Sequence, residues 1–160
     1  MMKQIPLSQG KFALVDDEDY ERVNQYKWCI NSNGYAVTSY RDSNGKRKAM
    51  KMHRFILNLN KGDSLVDHRD TIRINNQKYN LRVASFVENL RNQKINKNNK
   101  SGFKGVRLHK PSSLYIAQIG INGKQKHIGY FKCPVEAAKA YNEAAIKYFG
   151  EFAQLNEIKY

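Results

Sequence analysis

Apolar residues along this chain come in short runs, and the breaks between them carry turn-forming residues. Lys11-Phe12-Ala13-Leu14-Val15 reads as a strand, and Asp16-Asp17-Glu18-Asp19 then loads the start of a short helix with acid, as the helix dipole prefers. Asn33-Gly34 stands between Trp28-Cys29-Ile30 and Tyr35-Ala36-Val37, and an Asn-Gly pair readily takes the backbone angles of a two-residue hairpin turn. Ser43-Asn44-Gly45 forms a second turn and leads into an expected strand over Lys51-Met52-His53-Arg54-Phe55-Ile56. Together these pieces predict a small antiparallel sheet.

Further along, Leu65-Val66-Asp67-His68 is an apolar start running directly into two polar residues, and after a polar loop Asn80-Leu81-Arg82-Val83-Ala84 reads as the next strand. Ser85-Phe86-Val87-Glu88 is a capping box, so a helix is expected from Phe86 to about Gln93. The stretch 93–102 is polar and basic and reads as a linker or as an arm that tracks a nucleic-acid backbone. Beyond it lie three strand-like pieces, Gly105–Leu108, Tyr115–Ile121 and Lys126–Phe131, with Asn122-Gly123 as the turn between the last two. Pro134 opens a helix whose Ala137, Ala138, Tyr141, Ala144, Ala145 and Tyr148 form a small-residue stripe expected in the core, and Gly150 closes it.

Charge changes this picture from a fold to a partner. Of 160 residues, 28 are Lys or Arg and 14 are Asp or Glu, a formal net charge of +14. Residues 41–110 hold 18 of the cations and 5 of the acids, whereas 1–40 hold 4 and 5, and 111–160 hold 6 and 4. A block this lopsided is the electrostatic footprint of a polyanion binder, and nucleic acid is the commonest such partner. No apolar run approaches the ~18 residues of a membrane span, and Met1-Met2-Lys3 leads into no signal-peptide core. Two well-separated cysteines, Cys29 and Cys133, exclude both a disulfide scaffold and a four-cysteine zinc module. A cytoplasmic protein of a bacterial cell or a phage-infected host, with no membrane association, is the expectation.

Asp67, His68, Asn80 and Asn89 carry the chemistry that this pattern allows. A strand–strand–helix unit can point all four into one pocket. Asp and Asn oxygens suit a hard divalent cation, and a near-neutral His can take a proton from water. An Asp-His pair alone is more often only a strand end and a turn. Leu65-Val66-Asp67-His68, Asn75-Asn76, Asn80-Leu81-Arg82 and Glu88-Asn89 together, however, resemble the HNH nucleases, particularly the phage and intron-associated homing type. The resemblance covers roughly 10–92 and matches the Asn-ending version of the motif, with 12 positions from His68 to Asn80 and 9 from Asn80 to Asn89. His53-Arg54 fits its usual lead-in. It departs from the family after Asp70, where Thr71-Ile72 replaces the frequent Gly-Asn turn.

What the resemblance implies is a ββα unit gripping one Mg2+ or another divalent ion such as Mn2+. His68 is the implied general base, Asn80 the residue that orients it, and Asp67 and Asn89 the metal ligands.

The C-terminal third resembles the AP2 DNA-binding domain of plant transcription factors and mobile HNH endonucleases. The matching residues are Gly105-Val106-Arg107, Tyr115, Ala117, Ile119, Gly129, Phe131, Glu136-Ala137-Ala138, Ala140-Tyr141, Ala144-Ala145, Gly150, Ala153 and Leu155-Asn156. That resemblance implies a three-stranded antiparallel sheet on one helix, with the sheet entering the major groove. Tyr115 stands where plant domains usually have Trp, and Gly120 where they have Arg, so base specificity does not carry over.

The fold expected is therefore α+β: a nuclease domain over 1–92 whose ββα unit spans about 65–92, a linker over 93–102, and an AP2-like domain over 103–160. The partner expected is double-stranded DNA, bound by a monomer. Arg54, Arg69, Arg73, Arg82, Lys97, Lys100, Lys104, Lys124 and Lys126 are expected along the phosphates, with Arg107 on a guanine edge and Tyr115 on the reading surface. A DNA-binding protein with a non-catalytic HNH unit is the alternative, and an RNA-binding accessory protein is less supported for want of a stacking-aromatic motif.

Overall fold

The computed structural model describes residues 1–60, 62–96 and 98–158. It is α+β and divides into two compact units, Met1–Asn89 and Leu90–Tyr160.

The first unit begins with β1 (Met2–Pro6) paired antiparallel to β2 (Phe12–Asp16). Strand β1 has no sequence signature, because only Ile5 among its residues points inward. Helix α1 (Asp17–Asn24) follows, with Asp17, Glu18 and Asp19 in its first turn as the dipole argument requires. Strands β3 (Cys29–Ile30), β4 (Ala36–Arg41) and β5 (Arg47–Lys51) form a three-stranded antiparallel sheet joined by the two predicted turns. The expected strand over 51–56 is corrected: β5 ends at Lys51, and Met52–Ile56 is a helix, α2. Its buried residues Met52, His53 and Ile56 follow helical spacing, not the alternation of a strand. The core gathers Ile5, Val15, Val23, Trp28, Met52 and Ile56, with the Trp28 indole N–H donating to the Val23 carbonyl at 2.8 Å.

Against this core lies a two-stranded ribbon, β6 (Leu65–His68) with β7 (Leu81–Ala84), leading into α3 (Phe86–Arg91). The capping box is formed: the Ser85 N–H donates to Glu88 Oε2 at 2.8 Å and the Glu88 N–H to Ser85 Oγ at 3.2 Å. The loop 69–80 between β6 and β7 is stitched to β2. Leu14 N–H donates to the Ile74 carbonyl and Asn76 N–H to the Leu14 carbonyl, both at 2.8 Å. Asp16 accepts from the Gln77 side chain at 3.0 Å and the Lys78 N–H at 2.7 Å.

The second unit is an antiparallel sheet in the order β10 (Lys124–Phe131), β9 (Leu114–Ile121), β8 (Val106–His109), packed on α4 (Pro134–Phe149). Ala137, Ala138, Tyr141 and Ala145 are buried as the small-residue stripe predicts. Their small size lets the helix sit close, and Gly105 lies where it does so: a Cβ there would fall 2.0 Å from the Tyr141 ring and 2.8 Å from the Gln118 carbonyl oxygen, at φ +74°. Part of the segment expected as a linker is folded into this unit, since Asn99 Oδ1 accepts the Ser101 and Gly102 N–H groups at 2.9 Å each. Asn156 clamps the C-terminal tail, accepting the Lys104 N–H at 2.6 Å and exchanging two bonds with Asn142.

Candidate active site and nucleic-acid surface

His68 closes β6, buried on the ribbon face that it shares with Leu81, its cross-strand neighbour. Asp67 precedes it on the same strand. Asp67 meets its own cross-strand partner, Arg82, whose Nε and Nη2 both donate to Oδ2, at 2.8 and 2.6 Å. Both partners are buried, so this is an interior ion pair.

The His68 ring is fixed by Asn76, whose Oδ1 lies 3.3 Å from Nε2. With Nε2 donating to that oxygen, Nδ1 is the basic nitrogen of the ring. Asn76 is fully buried, and its amide Nδ2 has no hydrogen-bond partner among the described residues. Asn80, also buried, acts one step further out. Its Nδ2 donates to Asp70 Oδ1 at 2.9 Å and to the Asn75 carbonyl at 2.8 Å, while its Oδ1 accepts the Asp70 N–H at 3.0 Å. Asp70 Oδ2 in turn accepts from Asn75 Nδ2 at 2.7 Å. Asn80 thus ties the loop that carries Asn76, and Asn76 touches His68. The sequence reading assigned the orienting role to Asn80 and left Asn76 out of the site, although Asn75-Asn76 was part of the motif.

Two further rings enclose His68. His53 of α2 meets it edge-on at 5.1 Å between centroids, and Tyr35 lies 6.0 Å away. Burial lowers the pKa of His68, opposed by the Asn76 bond and by the Asp70 and Asp67 charges, and aided by Arg73. His53 is pushed down to about 3, chiefly by burial and then by the neighbouring His68, Lys51 and Arg54. Both rings are therefore neutral at pH 7, the form in which an imidazole accepts a proton. Asn89 is half-buried in α3, its N–H donating to the Ser85 carbonyl at 3.0 Å. No group of three or more His, Cys, Asp or Glu side chains suited to hold a metal exists among the described residues.

The expected phosphate contacts fall into two sets. Arg69, Arg73, Lys100, Arg107, Lys124 and Lys126 are exposed. Arg82 is not, being buried against Asp67, which corrects its placement on DNA. Arg54 folds back on its own chain, donating to the Ser64 carbonyl at 2.9 Å and to the Asn60 carbonyl. Lys104 is likewise turned inward: Nζ donates to the Arg91 and Gln93 carbonyls at 2.6 Å each, and burial lowers its pKa to about 8. Lys97 lies outside the described residues.

Strand register separates the two faces of the β8–β10 sheet. Tyr115, Ala117, Ile119 and Ile121 point to α4, so Tyr115 is a core residue and not a reading one. Lys126 is on that same side, with Nζ donating to the Tyr148 hydroxyl at 2.6 Å, and Lys124 faces it too, opposite Ile121. The open face carries Arg107, whose Nε donates to Gln118 Oε1 at 3.3 Å, with His127 opposite Gln118. Tyr130 completes it, its ring 4.8 Å from His127 and 5.7 Å from His109. Among the described residues, no helix is long and apolar enough to cross a membrane.

No family model matches the chain. It is 36% identical over 157 residues to a protein of Acanthamoeba polyphaga mimivirus described as an uncharacterized HNH endonuclease, a match covering 95% of this chain and 78% of that one. The matched length takes in the ribbon, the loop and α3, where a buried neutral histidine ends the first strand of a ββα unit. By that similarity the chain belongs to the HNH endonucleases, and its function is that of a nuclease.

Proposed function

We propose that the chain is a metal-dependent DNA endonuclease of the homing type, with the first unit cutting double-stranded DNA and the AP2-like second unit holding it on its site. The observation that carries this reading is His68: buried, neutral, and oriented through Nε2 by an asparagine whose loop is stitched to β2. In the proposed reaction His68 Nδ1 takes a proton from water as the water oxygen bonds to phosphorus. The phosphorus–oxygen bond to the leaving nucleotide breaks, and that oxygen takes a proton from solvent. Asn76 holds the ring through the Nε2–H as the imidazolium forms, and Asn80 keeps the loop in place.

The donor set fits a hard divalent cation. Asp67 and Asn89 offer a carboxylate and an amide oxygen, and Mg2+ characteristically takes few protein ligands, completed by water and phosphate. Held there, the cation would neutralise charge gathering on the phosphate in the transition state. For the second unit, Arg107 and Gln118 supply the side-chain types that fork onto guanine and adenine edges.

Plasmid nicking with and without Mg2+ tests this reading. The parent should cut only with the metal, and His68→Ala should lose about 10²–10⁴-fold in rate, as expected for loss of a general base, while its DNA affinity stays within a few-fold. Cleavage in excess chelator, or parental cleavage by His68→Ala, would refute it.

A further inference from the structure

Several cations of the first unit, Lys3, Arg22, Lys48, Lys78 and Arg82, are tied to carboxylates, and Lys3 and Arg22 among them also lie over the Tyr20 and Phe55 rings. Lys51 and Arg73, both exposed, differ in sharing a single aromatic ring. Lys51 Nζ lies 4.9 Å from the Tyr35 ring centroid, and the Arg73 guanidinium carbon 4.8 Å from it. Neither forms an ion pair with a carboxylate among the described residues.

The same ring reaches the buried histidines. Tyr35 meets His53 edge-on at 5.2 Å and His68 at 6.0 Å. It therefore touches the general base on one side and two solvent-facing cations on another. Three separate elements converge to make this arrangement. Tyr35 leaves the β3–β4 turn with its N–H on Asn31 Oδ1 at 2.9 Å, and Lys51 ends β5 opposite Val37. Arg73 comes from the 69–80 loop and donates to the Asn33 carbonyl at 2.5 Å, so its guanidinium is held over the turn.

Two like charges held beside one ring repel each other, and the ring's quadrupole offsets only part of that cost. A bound anion would supply the missing negative charge. The anion that fits a nuclease is the substrate backbone, which presents one charge per phosphate. We propose that Lys51 and Arg73, gathered on Tyr35, form the cradle for the backbone phosphate presented to His68, and that Tyr35 is the positioning residue that fixes both cations relative to the base. This rests on the nuclease reading.

The test uses the full chain and a random-sequence duplex in EDTA, with affinity measured across a range of salt concentrations. Lys51→Ala and Arg73→Ala should each lower the log–log salt slope by about 1, the signature of one lost phosphate contact. Tyr35→Leu should lower it by about 2, and Tyr35→Phe, which keeps the ring, should restore it. Lys3→Ala removes the same charge from a residue already paired with Asp17, and should move the slope far less. In Mg2+, Arg73→Ala should raise KM more than it lowers kcat. Parental slopes in Lys51→Ala and Arg73→Ala, or shifts no larger than that of Lys3→Ala, would overturn the cradle. Should Tyr35→Leu fail to fold, these two exposed positions decide the matter. A parent that binds duplex but never cuts would sink the nuclease reading, while the salt slopes, read without cleavage, still judge the cradle.

Discussion

Replacing Arg82 by Met should destabilise the first unit by about 3–5 kcal/mol, because it leaves the Asp67 carboxylate buried without its counter-charge. The pair's contact is 2.6 Å, with both side chains 6% exposed. At an effective dielectric near 20, that separation gives a gross attraction of about 6 kcal/mol. Desolvation of the two ions costs several kcal/mol each, so the intact pair nets little against an apolar replacement. The double variant Asp67→Leu/Arg82→Met should accordingly be far more stable than Arg82→Met alone. Trp28 makes this measurable. It is the single tryptophan of the chain and lies in the first unit's core, so its fluorescence during urea unfolding in EDTA reports that unit. With a urea m-value of roughly 1–2 kcal/mol/M, the midpoint should fall by roughly 1.5 M or more. A midpoint within roughly 0.3 M of the parent, together with a salt slope of DNA binding lowered by about 1, would show that Arg82 faces a phosphate and not Asp67.

Other expectations follow from the same geometry. His53 has an ordinary value of 6.5 unfolded and about 3 folded, so between these values the unfolded chain binds more protons and stability falls as pH drops. At pH 5 the loss should be about 2 kcal/mol against pH 7.5, with His68 acting in the same direction; Trp28-monitored unfolding that is equally stable at both values would refute it. Gly105→Ala should cost more than about 1 kcal/mol, since it combines positive φ with a Cβ inside the Tyr141 ring, and calorimetry of the full chain should show the lowered transition. On the second unit's open face, Arg107→Ala should relax base preference by about 1–3 kcal/mol at one position. Lys126→Ala, on the α4 side, should leave that preference unchanged in a selection from random duplexes.

Features set by neighbours in sequence were legible from the residues alone. Both hairpin turns, the Ser85–Glu88 capping box and the Ala/Tyr stripe of α4 depend on spacing within one turn or one helix, and they stand where the pattern put them. Membership of the HNH family was equally visible. What escaped depends on pairing across the chain. That Arg82 faces Asp67 requires the β6–β7 register, and that Asn76 reaches His68 requires the loop's attachment to β2. That Lys124 and Lys126 lie on the α4 side was not legible for a related reason. Ile128 and Phe131 both pack inward although three positions apart, because a register shift between His127 and Gly129 breaks the alternation. Helix α2 was missed since Met52 to Ile56 is too short a segment for a helical period to stand out from a strand.

The stitching of the 69–80 loop onto β2 bears on how portable this motif is. The bonds that set Asn76 run to Leu14 and Asp16, some sixty residues earlier, across the whole β3–β5 sheet and α2. A ribbon-and-helix fragment cut at 65 and 91 would carry His68, Asn80 and Asn89 and the Asn80–Asp70–Asn75 ties, but would lose the bonds to β2 that hold the Asn76 backbone. Transplanting the motif into another scaffold would therefore require a surrogate for β2, an exposed strand edge offering one carbonyl, one N–H and a carboxylate at the right height. In folding, the same dependence sets an order: the loop that reaches His68 can take its final place only once β2 is there to receive it.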